Sequence, residues 1–455
     1  ETCDFTPVNP GHADEWWWVE SASFGNNVAS LFDFSTVECD GTAVLDGLWL
    51  TGCQNFVKGG ADAHPTLRNC TFIGAGRIYL KSAMMIDGCK FIASSANGGS
   101  TSTGCIYNDA TISAPGLVVT NTLFDGIHAL QRGGITGNGG TLLVSFDDCT
   151  FSHCYINPTR DYDNNHGTCI GGSGLSVTAR RCRFVGNKAK GNGHIFVAST
   201  ISDSVFEANV IDAAADHFAT TYQPLLSCGT AVRCSFVSNK VTRTGLATGV
   251  CQAALVSTSG SLIGCTFDGN EVSVSLDEGS TGSALAGLVF VTGNVSLGVA
   301  QCTFAGNEAP WEIYWTGGNK NSGKCPLTVV SSVFADGETT RFGMSSGMNR
   351  NVFGMHFVGS VIPGFDATAD GVVSAQNVVS DEMPTFVRKP LVGEYAWGRK
   401  LLGCQAGRKA AVPVFQTADG IWCFTDADGT NRKLAGRTVV EPEEPAEEAE
   451  ETDEN

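Results

Sequence analysis

One phenylalanine sets the pattern of the chain. It recurs at Phe72, Phe91, Phe124, Phe151, Phe184, Phe206, Phe236, Phe267, Phe304, Phe334 and Phe357, at intervals between 19 and 37 residues. Two positions before it stands Cys70, Cys89, Cys149, Cys182, Cys234, Cys265 or Cys302 in seven repeats, and Thr122, Ser204, Ser332 or Met355 in the other four. Three positions earlier still every repeat has an apolar residue: Leu67, Ile86, Val119, Phe146, Ala179, Ile201, Ala231, Leu262, Val299, Val329 and Val352. Residues i and i+2 share one face of a strand, whereas an offset of three changes the face if the chain runs straight. The pattern therefore predicts a bend: an inward apolar residue, a two-residue corner, then a short strand with Cys and Phe both inward. The corner pairs vary, as in Arg68-Asn69, Asp147-Asp148 and Arg180-Arg181, which predicts that they face solvent.

Three residues after Phe, five successive repeats carry Asn187, Asn209, Asn239, Asn270 and Asn307. An amide tolerates a left-handed turn and can bond to its counterpart one coil away, which predicts an asparagine ladder. Small residues followed by an aliphatic, as in Gly104-Cys105-Ile106 and Gly193-His194-Ile195, suit a turn feeding another inward strand. Together these are the parts of an all-β, right-handed parallel β-helix, its hand following from parallel crossovers. Roughly eleven to thirteen coils at about 4.8 Å each give a rod on the order of 55–60 Å. The helix is expected over residues 39–365. Residues 1–38, with Trp16, Trp17, Trp18, Phe32 and Phe34, are expected to cap its open end, as solenoids require. Residues 366–438 are expected to form a small C-terminal β module with strand-like runs at Val412–Phe415 and Ile421–Phe424, a turn at Asp428-Gly429, and a disulfide between its two cysteines, Cys404 and Cys423. Residues 439–455 form an acidic tail.

Cys-x-Phe-x-x-Asn repeats alternating with Gly-Gly-Ala-Ile-like turns over about residues 40–365 resemble the right-handed β-helix passengers of bacterial polymorphic outer membrane proteins. They are similar, too, to the wider group of secreted parallel β-helix repeat proteins. The resemblance implies a secreted or cell-surface scaffold and is specific for fold rather than for activity.

Composition narrows the classes further. Hydrophobic residues make up 42% and charged ones 16%, enough apolar material for a folded body. No run reaches the roughly 18 apolar residues of a membrane span, and no basic cluster is dense enough to hold a nucleic-acid backbone. The net charge is −18, and residues 441–455 alone hold nine acidic residues and no basic one. A start at Glu1 without Met, together with eighteen Cys, fits an exported protein. In-register Cys on adjacent coils would keep their Cβ atoms beyond disulfide range, so the column is expected to be buried thiols. Their spacing has none of the pairing of a zinc site.

The residues left over for function collect in insertions around 155–168, 210–227 and 308–325. Trp311, Tyr314 and Trp315 are the candidate aromatic anchors of a binding patch, and Asp161, Tyr162 and Asp163 the candidate polar ones. Asp161, Asp163 and Asn165 offer oxygens suited to Ca²⁺, although the loop departs from the EF-hand pattern, and no other cofactor is implied. Two function classes follow. The first is a non-catalytic extracellular β-helix for adhesion, glycan binding or surface assembly, with glycans, neighbouring surface proteins or further copies in a homo-oligomer or filament as partners. The second is a polysaccharide lyase or glycoside hydrolase acting on an acidic glycan. For that class the acid–base candidates are Asp147-Asp148, His194, and Asp161 and Asp163 with Asp216-His217, and none matches a complete catalytic set.

Overall fold

The computed structural model describes residues 30–35, 43–51, 55–61, 65–74, 76–92, 105–129, 134–137, 140–156, 167–172, 174–190, 193–218, 222–292, 298–315, 327–335, 342–344, 355–360, 362, 372–375, 377, 414–416, 422–425 and 431–433. The body is a right-handed parallel β-helix. The middle coils lay down four short strands each. In one of them these are Ile135–Gly137, Leu142–Asp147, Thr150–Ser152 and Tyr155–Ile156, and each pairs in parallel with its counterpart in the next coil. The third face is an eleven-stranded parallel sheet running from Trp49–Thr51 to Val333–Ala335. At about 4.8 Å per strand it alone spans about 50 Å.

This third face carries the phenylalanine column. Phe72 through Phe334 stack ring on ring, with centroids 4.4 to 5.2 Å apart and planes within 14° of parallel. In-register parallel pairing forces this, because each Phe is the exact register partner of the next, as in Phe206↔Phe236↔Phe267. Leu50 continues the column downward, paired with Phe72. Phe357 does not continue it upward. Its strand, Met355–Val358, sets it beside Val329 in the column of inward apolar residues, and it meets Phe334 edge-on at 69°. Ser360 then takes the thiol position, and buried Ile362 stands two residues on, where the spacing puts a Phe. An apolar residue at Val352 mimicked the motif by chance.

The bend before each Cys is made by one residue with a left-handed backbone, as at Asn69, Asn121, Asp148, Arg181, Asp203, Arg233, Gln301 and Ser331, with φ between 49 and 56°. That conformation costs a non-glycine residue roughly 1–2 kcal/mol. It is held because the corner N–H stays in the ladder, as Arg233 N–H donates to Ile263 O at 2.7 Å and Asn69 N–H to Asp87 O at 2.9 Å. A second left-handed residue stands two places after the Phe where that position is described, as at Gly126, Gly186 and Gly269. Here the asparagines depart from expectation: the positive φ belongs to the residue before each of them, such as Ala208 or Ser238, while the asparagine itself turns inward and is buried.

The corner pairs are not simply solvated. Read up the stack, acid alternates with donor: Asp46 with Arg68 and Asn69, Asp87 with Thr120 and Asn121, Asp147 and Asp148 with Arg180 and Arg181, Asp203 with Arg233. Like charges stacked at one strand spacing would repel, so alternation also favours the correct register.

The stack extends past both expected boundaries. Ser30–Asp33 already pairs with Asn55–Lys58, and Val372–Ala375 pairs with Met355–Val358. The segment 210–227 is for the most part strand rather than loop, since Val210–Phe218 and Tyr222–Val232 pair with the next coil. Val414–Gln416, Trp422–Thr425 and Asn431–Lys433 form an antiparallel three-stranded sheet. The tryptophans at 16–18, Cys404 and the tail from 439 lie outside the described residues.

Candidate binding surface

Two ladders occupy the recurring polar residues. In the first, Asn239 Nδ2 donates to Asn270 Oδ1 and to Phe206 O, both at 2.9 Å, while Asn239 Oδ1 accepts from Asn209 N and Asn209 Nδ2 at 3.0 and 2.9 Å. The same set repeats from Asn187 to Asn307, and all five side chains are buried. In the second, the Cys sulfurs lie close enough to donate to the carbonyl two residues back, as Cys182 Sγ to Arg180 O at 3.3 Å. Thr122, Ser204 and Ser332 make the same contact at 2.7, 2.7 and 3.1 Å. Cys is therefore more than a small apolar residue in this column. It alternates with Thr and Ser because all three are small donors that close the corner. The twelve cysteines described are all buried and unbridged. Burial pushes the Cys228 thiol up to about 12, which suits an inert side chain.

Of the candidate acids for a hydrolase, the pair among the described residues is committed as well. Asp147 and Asp148 are held by Arg180 and Arg181 across the coil boundary at 2.6 to 2.9 Å. Ser152 Oγ and His153 Nδ1 both converge on Asp125 Oδ1, at 2.7 and 2.9 Å, so the serine proton points at the carboxylate rather than the imidazole. His194 is buried, with its carbonyl accepting from Thr168 N–H in the coil ladder. The side chains of Asp216 and His217 lie outside the described residues, as do Asp161, Tyr162 and Asp163 in their entirety. Among the described residues no group of three or more His, Cys, Asp or Glu is placed to hold a metal ion, and no helix is long and apolar enough to cross a membrane.

The aromatic trio divides. Ile313–Trp315 is a strand of the second face between Ser283–Val291 and Phe342–Met344, and its alternation sends Ile313 and Trp315 inward. Trp315 is 1% exposed and belongs to the core, so it offers no ring to a surface partner. Trp311 and Tyr314 stay on the outside, both half-buried, with ring centroids 5.7 Å apart. Beneath Tyr314 lies the buried ring of Phe290, 5.6 Å away. Above it, Gly343 is paired with Tyr314, and a Cβ there would come within 2.6 Å of the Tyr314 ring and 3.0 Å of the Trp311 ring. The two rings thus lie across the bare backbone of the next coil. Glycine at 343 and at 287, where a Cβ would meet Phe290 at 2.8 Å, was the missed signal of this shelf.

No family model matches the chain, and no curated protein matches it. Among solved structures the chain is similar to tailspike protein 3 of bacteriophage CBA120, at 13% identity and a TM-score of 0.25. That match covers 82% of this chain and 64% of the phage protein, so the chain spans less than two thirds of its length.

Proposed function

We propose that this chain is a non-catalytic β-helix protein of the secreted or cell-surface kind, which binds glycans through the Trp311–Tyr314 shelf. One observation carries the reading. The recurring polar side chains are spent on coil-to-coil ladders, whereas Trp311 and Tyr314 stand half-exposed over a glycine on an otherwise regular sheet face. Half-exposed aromatic rings supply large rigid contact area at low entropic cost, and sugar rings present the flat C–H faces that match them. The resemblance of the Cys-x-Phe-x-x-Asn repeats to polymorphic outer membrane protein passengers supports the surface location. The test is a glycan array probed with the wild-type chain and with Trp311→Ala/Tyr314→Ala. The reading expects wild-type signals on uncharged glycans that the double variant loses at an unchanged thermal midpoint. It fails if no uncharged glycan binds the wild type or if the variant binds such a glycan as well.

A further inference from the structure

A second outward cluster sits near the other end of the rod, on the first face. Arg77–Leu80 and Ile106–Asn108 are neighbouring strands there, with Tyr79 and Tyr107 in register and both half-buried. Their rings lie 5.3 Å apart at 36°. The Arg77 guanidinium carbon is 5.5 Å from one ring centre and 5.0 Å from the other, and Lys81 Nζ is 4.8 Å from the Tyr79 ring. These cations are fixed rather than waving. Arg77 Nε donates to Asn55 Oδ1 at 3.1 Å, and Asp109 accepts from Lys81 Nζ and from Tyr79 Oη, each at 2.5 Å.

The charge balance here runs against that of the whole molecule. Among the described residues around the two rings stand Asp33, Lys58, Arg77, Lys81 and Asp109, three cations to two carboxylates, on a chain of net charge −18. Burial, and then the hydrogen bond to Asp109, push the Tyr79 hydroxyl up, so it stays neutral and its ring remains a stacking surface. The hydrogen bond to Asp109 raises Lys81 and keeps it charged. None of these residues belongs to the recurring coil pattern, so packing of the repeat does not account for them.

We infer that Arg77, Tyr79, Lys81 and Tyr107 form a separate binding site for a carboxylated saccharide, with sugar rings stacking on the two tyrosines and a uronate carboxylate engaged by Arg77. The guanidinium is planar and suits a carboxylate, and its position across both rings puts charge and stacking surface in one contact. This site stands on its own geometry and does not depend on the Trp311–Tyr314 shelf.

The test titrates the whole chain with oligogalacturonate, with the same oligomer methyl-esterified to remove its charge, and with heparin as a sulfated control. The acid form is expected to bind, the ester about tenfold more weakly, and added salt to weaken only the acid form. Arg77→Gln is expected to bind the acid form about tenfold more weakly at an unchanged thermal midpoint. Tyr107→Ala should lose binding and Tyr107→Phe, which keeps the ring, should retain it. Equal binding of acid and ester, no binding of the acid form, wild-type binding by both Arg77→Gln and Tyr107→Ala, or a preference for heparin would each overturn the assignment.

Discussion

Removing one rung from the middle of the asparagine ladder should cost far more than one surface hydrogen bond. In Asn239→Ala the backbone N–H of Asn209 and one N–H of its side chain lose their acceptor, and the Phe206 carbonyl loses a side-chain donor. All these groups are buried beneath the coil wall. Two stranded donors at about 1–3 kcal/mol each, plus about 1 kcal/mol for the space left by the amide, give a loss of about 3–7 kcal/mol. The bottom rung is different, because Asn187 Oδ1 accepts from the single backbone N–H of Cys154. Asn187→Ala should therefore cost about half as much. Asn239→Asp puts an anion against the Phe206 and Asn270 oxygens, so its carboxyl pKa should rise, and the variant should recover stability as pH falls and the acid becomes a donor. Because a solenoid can open locally, urea unfolding followed by circular dichroism should be read with native-state hydrogen exchange at the 206–240 coils. A loss below about 1 kcal/mol for Asn239→Ala, or an equal loss at both rungs, would refute the reasoning.

Phe236→Ala, taken from the middle of the ring stack, should cost about 3–5 kcal/mol by the same unfolding assay, and a much smaller loss would place Phe236 outside the core. Thiol labelling should be slow in the native chain and rapid after unfolding without reductant; fewer than about four labelled thiols would contradict the unbridged column. Hydrogen bonds from Arg68 and Asn69 hold Asp46 below 3.8, and bonds from Thr120 and Asn121 do the same for Asp87. A depressed carboxylate contributes stability above its unfolded value and loses it as pH falls through the folded one, so the thermal midpoint should drop below pH 3.8. A midpoint that stays flat there would show that the corner pairs do not matter. Deleting residues 441–455, a run of nine acids with two alanines as its only apolar residues, should leave the midpoint unchanged, and a clear drop would mean that the tail docks.

Most of the coil was legible in the sequence because in-register stacking makes each position repeat its neighbour's chemistry. Cys, Phe and the preceding aliphatic residue recur because each fills one column, and the bend between them follows from an offset of three. The error at Phe357 came from the same rule, since phenylalanine serves either inward column and spacing alone does not separate them. The alternation of acid and donor at the corners was visible in Asp46, Arg68, Asp87, Asn121, Asp147 and Arg180, but variation masked it: the pattern has a period of two coils. The surface sites were harder. Trp311, Tyr314 and Trp315 look alike on the page, and only strand alternation sends Trp315 into the core. Arg77, Tyr79, Lys81, Tyr107 and Asp109 gave no local signal, because 30 residues separate the partners Tyr79 and Asp109 that one coil brings together.

The claim that this β-helix binds without catalysing is met most directly by incubating the chain with uronic-acid polymers and following new reducing ends together with absorbance of an unsaturated product. The account predicts that polymers retained by the protein are recovered at their original length. Sustained chain cleavage, abolished by Asp161→Ala or Asp163→Ala, would contradict it and make the protein an enzyme.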